Sequence, residues 1–146
     1  MWAALAVHVT DEALTGFLPV YNLTVLALRA QLRVWPMPTF EFRDWLAGLV
    51  VGILLLAACT PFAFRNARWI RVPFYFIAIA AGVLNALGHI VATILGHTVD
   101  AVRFQRPAPG FYSSPLLLIV SIYALRQLWR TRRNPSGEMS QPSIGT

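Results

Sequence analysis

Residues Val72 to Val99 carry no Asp, Glu, Lys or Arg, and this run of twenty-eight residues constrains the chain more than any other feature. At ~1.5 Å per residue a helix of that length reaches about 42 Å, more than the ~30 Å hydrocarbon thickness of a bilayer, so the run predicts a membrane-spanning helix. Asn85 falls almost at its midpoint, with His89 one turn later. An amide and an imidazole at bilayer depth demand partners, because leaving them unpaired in hydrocarbon is costly. The sequence offers one cluster to supply them: His8, Asp11 and Glu12.

The rest of the chain suits that setting. Only 12% of its 146 residues are charged and 57% are hydrophobic, where a soluble domain has about a quarter charged. Trp45 to Phe64, bounded by Asp44 and Arg65, predicts a second span, with Trp45 placed as an interfacial anchor and Gly48 and Gly52 at a close-packing spacing. Met1 to Leu28 is uncharged apart from Asp11 and Glu12, and Gly16 and Pro19 interrupt it. The absence of a basic start speaks against a cleaved signal, so the segment reads as a span broken near Gly16 to Pro19. A turn at Pro107, Pro109 and Gly110 feeds a last apolar run ending at Leu125. The expected fold class is therefore all-α, a four-span transmembrane helical bundle over residues 1–129, followed by a disordered basic cytoplasmic tail over 130–146.

The net charge of +6 would suggest nucleic acid in a soluble protein. Here all twelve basic residues are arginines that punctuate apolar runs, which points to anionic lipid headgroups instead. The bilayer is the expected partner and nucleic acid is not. Positions 65, 68, 71, 126, 130, 132 and 133 lie on one side of a four-span arrangement, against 29, 33, 43, 103 and 106 on the other. The positive-inside rule then places a multi-pass protein in the cell membrane with both termini cytoplasmic. Cys59 is alone, which excludes a disulfide framework. No Gly-rich phosphate loop, CxxC pair, haem-attachment pattern or Ser-His-Asp order is present. A small-molecule or lipid substrate is not identified by any motif.

His8, Asp11 and Glu12 stand at i, i+3 and i+4, one face of a helix, and Asn85 and His89 share a face for the same reason. Glu12 lies ~16 Å along its helix and Asn85 ~20 Å along its own at 1.5 Å per residue, so their side chains are expected to meet directly or through one water. Two imidazoles and two carboxylates converging in this way suit a divalent transition metal such as zinc or iron. The ligand or acid-base candidates are His8, Asp11, Glu12 and His89, with Asn85 orienting a ligand from behind. Two other functions fit the same residues. One is a proton-coupled transport element in which Asp11 and Glu12 exchange a proton with His89, and the other is a structural subunit whose polar cluster only fixes helix packing. His97, eight residues beyond His89, is expected to pair with Asp100 at the membrane edge, and Thr93 to bond its own helix backbone.

Three short segments in order, His8-Val9-Thr10-Asp11-Glu12, Asn85-Ala86-Leu87-Gly88-His89 and Pro109-Gly110, resemble the HXXEE-motif family of small integral membrane proteins. That family is marked by an HxxEE segment, an NxxxH segment and a Pro-Gly ahead of the final helix. The resemblance implies a polytopic membrane protein and singles out His8, Asp11, Glu12, Asn85, His89, Pro109 and Gly110. It brings no assigned activity. Asp11 stands where the pattern has Glu, one methylene shorter, which weakens the case for it as a ligand.

Overall fold

The computed structural model describes residues 1–32, 34–64 and 68–133, and they are mostly helical. Helix α1 (Trp2–Thr15) stops at Gly16, whose φ of 77° is comfortable only without a Cβ, and α2 (Phe17–Gln31) leaves at 79° to it. Pro19 falls in the first turn of α2, where its missing N–H removes no helical bond, so the bend belongs to Gly16. An irregular connection then leads to α3 (Phe42–Phe64).

Two stretches are long and apolar enough to cross a membrane, Phe42–Ala63 and Ile70–Leu95, with a third if the bent α1 and α2 pair is one span. Only 6% of the apolar window of α3 is buried within the protein, and Val50, Val51, Leu54 and Leu55 are exposed. Such a surface is a liability in water and ordinary in hydrocarbon. The last helix, α6 (Ser114–Arg133), does not join these two. Its uncharged part, 114–125, covers only ~18 Å at 1.5 Å per residue, because 107–113 forms a turn instead of adding to the helix. The α6 backbone stays helical through Arg133; the rest of the expected tail, 134–146, lies outside the described residues.

The long central helix is built from α4 (Arg68–Ile77), a π-helical segment (Ala78–Leu84) and α5 (Asn85–Leu95) in unbroken succession. It begins four residues before the expected Val72, so Pro73 sits in its second turn, not its first, and costs the helix one backbone bond. The expected basic loop at 65–71 is correspondingly shorter, and 65–67 lie outside the described residues. In the π segment Gly82 lies against Ser121 of α6 so closely that any Cβ there would overlap the Ser121 side chain. At its other end the helix stops at Gly96, and His97–Val99 (β1) pairs antiparallel with Val102–Arg103 (β2). His97 is thus on a hairpin opposite Arg103, not on the helix of His89, and no pairing with Asp100 occurs among the described residues. The short ladder wins here because Gly96 adopts the left-handed conformation that ends helices.

The apolar core gathers Ala4 and Leu5 of α1, Leu56 of α3, Ala86 of α5 and Leu117 of α6. Ala86 and Leu117 are fully buried. Three of these core residues are near neighbours of polar ones, Leu5 of His8, Ala86 of Asn85 and Leu117 of Ser113. The close-packed layer therefore fixes the depth at which those polar side chains meet.

Candidate metal centre

Helices α1 and α5 face each other through two rungs one turn apart. His8 Nε2 lies 3.0 Å from Asn85 Nδ2, and His89 Nε2 lies 3.0 Å from Glu12 Oε1. Both rungs join residues 77 apart in sequence, and equal offsets mean that the helices run in the same direction. The rungs differ from the expected pairing by one turn: Glu12 meets His89, while Asn85 meets His8. No direct Glu12–Asn85 hydrogen bond occurs among the described residues.

Asp11 and Glu12 are adjacent, and adjacent helical residues point about 100° apart, so only one of them can enter this face. Glu12 does. Asp11 turns to the start of α6, where its Oδ2 accepts the Ser113 backbone N–H at 2.8 Å and the Ser113 hydroxyl at 2.7 Å. A carboxylate at a helix N-terminus satisfies orphan amide donors and complements the helix dipole. Asp11, a ligand candidate from sequence, thus caps α6 and stands outside the cluster.

That cap sets the proton on His8. The single proton of the Ser113 hydroxyl goes to Asp11, so its oxygen accepts from His8 Nδ1 at 2.8 Å, and Nδ1 carries the hydrogen. In that tautomer His8 Nε2 carries the lone pair and accepts from the Asn85 amide. The same Nε2 lies 3.4 Å from Glu12 Oε1. His8, Glu12 and His89 are 0%, 3% and 6% exposed, and one ligand atom from each lies within 4.8 Å of the others. This His/Glu/His cluster could hold a metal ion. Donors sharing an ion at ~2.0–2.1 Å in a tetrahedron stand about 3.3 Å apart, so the two carboxylate–imidazole edges already fit. The imidazole–imidazole edge, within 4.8 Å, would have to shorten toward the same separation on binding.

No protein-family model, curated protein or solved structure matches the chain.

A loop roofs the cluster, and two threonines pin it. Thr15 Oγ1 accepts from Gly110 N–H at 2.9 Å, and Thr93 Oγ1 accepts from Ala108 N–H at 3.0 Å. Each hydroxyl donates back to its own helix, Thr15 to the Asp11 carbonyl and Thr93 to the His89 carbonyl. Thr93 does bond its own backbone as expected, and it holds the loop as well. Gly110 presses on the site: with φ at 79°, a Cβ there would lie 2.8 Å from His89 Cε1 and 3.0 Å from Glu12 Cγ. The ring of Phe17 closes another side, its centroid 5.3 Å from that of His89.

Ser113 is the functional residue that the motifs missed. It precedes Ser114, the first residue of α6, in a Pro-Gly-Phe-Tyr-Ser-Ser context. A serine just before an apolar helical run is a helix-start signal, and a helix start near a buried carboxylate was available to be read.

Proposed function

We propose that the protein is a multi-pass membrane protein with an intramembrane metal-binding pocket, and that this pocket serves a metal-dependent membrane enzyme. The observation that carries the reading is the buried His8/Glu12/His89 cluster, whose ligand atoms lie within 4.8 Å of one another. Two imidazoles with one carboxylate form a donor set that suits zinc or iron and leave positions open for water or substrate. A zinc ion there would supply Lewis acidity and an activated water, and iron would add redox chemistry. The chain's own contribution is to exclude bulk water, orient His8 through Ser113 and Asp11, and hold Glu12 between the rings.

The reading includes the four-span bundle with its first span broken at Gly16, both termini on the cytoplasmic side, and membership of the HXXEE-motif family. The motif residues support membership, since His8, Glu12, Asn85, His89 and Gly110 come together around one site. The 79° bend supports the broken span.

Metal analysis of the purified full chain, with cobalt substitution read by its visible ligand-field bands, tests the pocket. About one ion per chain is expected in the wild type, with loss in Glu12→Gln and His89→Ala and retention in Asp11→Asn. A wild type that takes up no zinc, iron or cobalt refutes the metal reading. The direct 3.0 Å contact of His89 with Glu12 favours proton-coupled transport as the second reading, and proton flux in proteoliposomes that is abolished in Glu12→Gln would establish it. Neither metal nor flux would leave a packing role.

A further inference from the structure

Residues 34–41, between α2 and α3, have no regular structure, yet α2 grips them with four hydrogen bonds. Tyr21 Oη donates to the Pro38 carbonyl at 2.9 Å and Arg29 Nη2 to the Met37 carbonyl at 2.7 Å. Asn22 clamps Phe40 from both sides, Nδ2 donating to its carbonyl at 2.9 Å and Oδ1 accepting its N–H at 3.1 Å. The Phe40 ring is thereby fixed against Tyr21, centroids 6.0 Å apart. Phe17 lies 5.8 Å from Tyr21 and 6.1 Å from Trp45, and Phe42 lies 5.9 Å from Trp45. Three of these rings, Tyr21, Phe40 and Trp45, line a cavity of about 320 Å³ together with Asp44, Gly48 and Leu49.

Trp45, expected as an interfacial anchor, is only 8% exposed, and its ring walls this cavity. Aromatic faces attract cations, and Asp44 adds a carboxylate that makes no ion pair among the described residues. Arg29 lies outside the lining and is engaged by Met37. Apart from Asp44 the wall is mostly apolar side chain. A primary ammonium would find the Asp44 carboxylate but leave its other N–H donors against aromatic and aliphatic wall, whereas a quaternary ammonium has no N–H to leave unpaired. The volume is at the lower end of the ~300–1,000 Å³ of ligand pockets, enough for a headgroup-sized ligand.

We propose that the aromatic pocket of Tyr21, Phe40 and Trp45, with Asp44 in its lining, binds a quaternary ammonium group. The site is distinct from the His/Glu/His cluster and does not rest on the metal reading. The group could be carried by a choline lipid headgroup or by a free organic cation, and the test separates the two sources.

The full chain in phosphatidylglycerol nanodiscs, free of choline lipids and choline-type detergent, is titrated with choline and with ethanolamine by calorimetry. Choline is expected to bind at least tenfold more tightly than ethanolamine. Asp44→Asn, an exposed change that leaves the packing intact, is expected to weaken choline about three- to tenfold, and Tyr21→Leu more than tenfold. Adding phosphatidylcholine to the discs assigns the source: competition with choline identifies the lipid headgroup, and unchanged choline binding identifies the free cation. Equal affinity for choline and ethanolamine, no binding of either, or an Asp44→Asn variant that binds choline like the wild type overturns the proposal.

Discussion

Replacing Gly110 by alanine isolates the contact between the roofing loop and the cluster. The left-handed backbone costs a residue with a Cβ about 1–2 kcal/mol. The added methyl would lie 2.8 Å from His89 Cε1 and 3.0 Å from Glu12 Cγ, short of the ~3.5–4.0 Å of ordinary carbon contact. Overlap of that kind in a packed interior costs about 1–3 kcal/mol. Alanine also restricts the unfolded chain, which returns about 0.4–1 kcal/mol. The net expectation is a loss of about 1–4 kcal/mol. Two further glycines serve as controls. Gly16 has φ 77° but nothing within 4 Å of its Cβ position, so Gly16→Ala should lose only about 0–1.5 kcal/mol. Gly48 is helical and open, so Gly48→Ala should be neutral or stabilising by up to about 1 kcal/mol. Equilibrium unfolding in mixed micelles, followed by circular dichroism, ranks the three. Cobalt affinity should fall in Gly110→Ala alone, since only there does the methyl push on ligands. A Gly110→Ala protein as stable as Gly16→Ala, with unchanged cobalt affinity, would refute the contact argument.

Ser113→Ala removes the hydroxyl between Asp11 and His8, and should cost about 1–3 kcal/mol in the same unfolding assay while weakening cobalt ten- to a hundredfold without abolishing it. Ser113→Thr, which keeps the hydroxyl, should restore most of both. Ser121 is fully buried and its Oγ has no hydrogen-bond partner, so Ser121→Ala should be neutral or stabilising by up to about 1 kcal/mol; a loss above about 1 kcal/mol would mean that the hydroxyl has a partner. Asn85→Ala should leave the cobalt stoichiometry at one and raise affinity up to about tenfold, because the amide occupies the lone pair of His8 that a metal needs. A hundredfold loss in that variant would instead assign Asn85 to the support of the loaded site.

Periodicity carried much of the site and little of its surroundings. The i, i+4 pairs His8/Glu12 and Asn85/His89, each on an apolar helix, were enough to bring these four residues to one face, because helical geometry is local. Their register was not local. Matching depths from the expected helix starts paired Glu12 with Asn85, but the two helices dock with their starts at different levels, and the true rungs are one turn away. The fate of Asp11 depended on where the N-terminus of α6 would dock, a contact over a hundred residues distant that no window of sequence encodes. The membrane character followed from composition, and two stretches with the length and apolarity to cross are present. The last run fell short because Pro107 to Ser113 went to the roof over the cluster, where Gly110 and Ser113 are both used.

The roof also bears on what the cluster can do. Four separate pieces of chain meet there, α1, α5, the 107–113 turn and the start of α6, so the site exists only when the whole bundle has assembled. Three of its hydrogen bonds, Gly110 to Thr15, Ala108 to Thr93 and Ser113 to Asp11, come from backbone amides of the turn and its junction with α6. They fix the roof without touching the Nε2 atoms of His8 and His89, and those atoms instead engage Asn85 and Glu12. Opening the cluster to an ion therefore costs the Asn85–His8 and His89–Glu12 bonds and leaves the frame around them intact. A purely structural polar cluster needs no such separation, since any hydrogen bond would serve packing equally. Here the bonds that hold the fold and the bonds that a ligand would replace are made by different atoms, and that division is what a binding site requires.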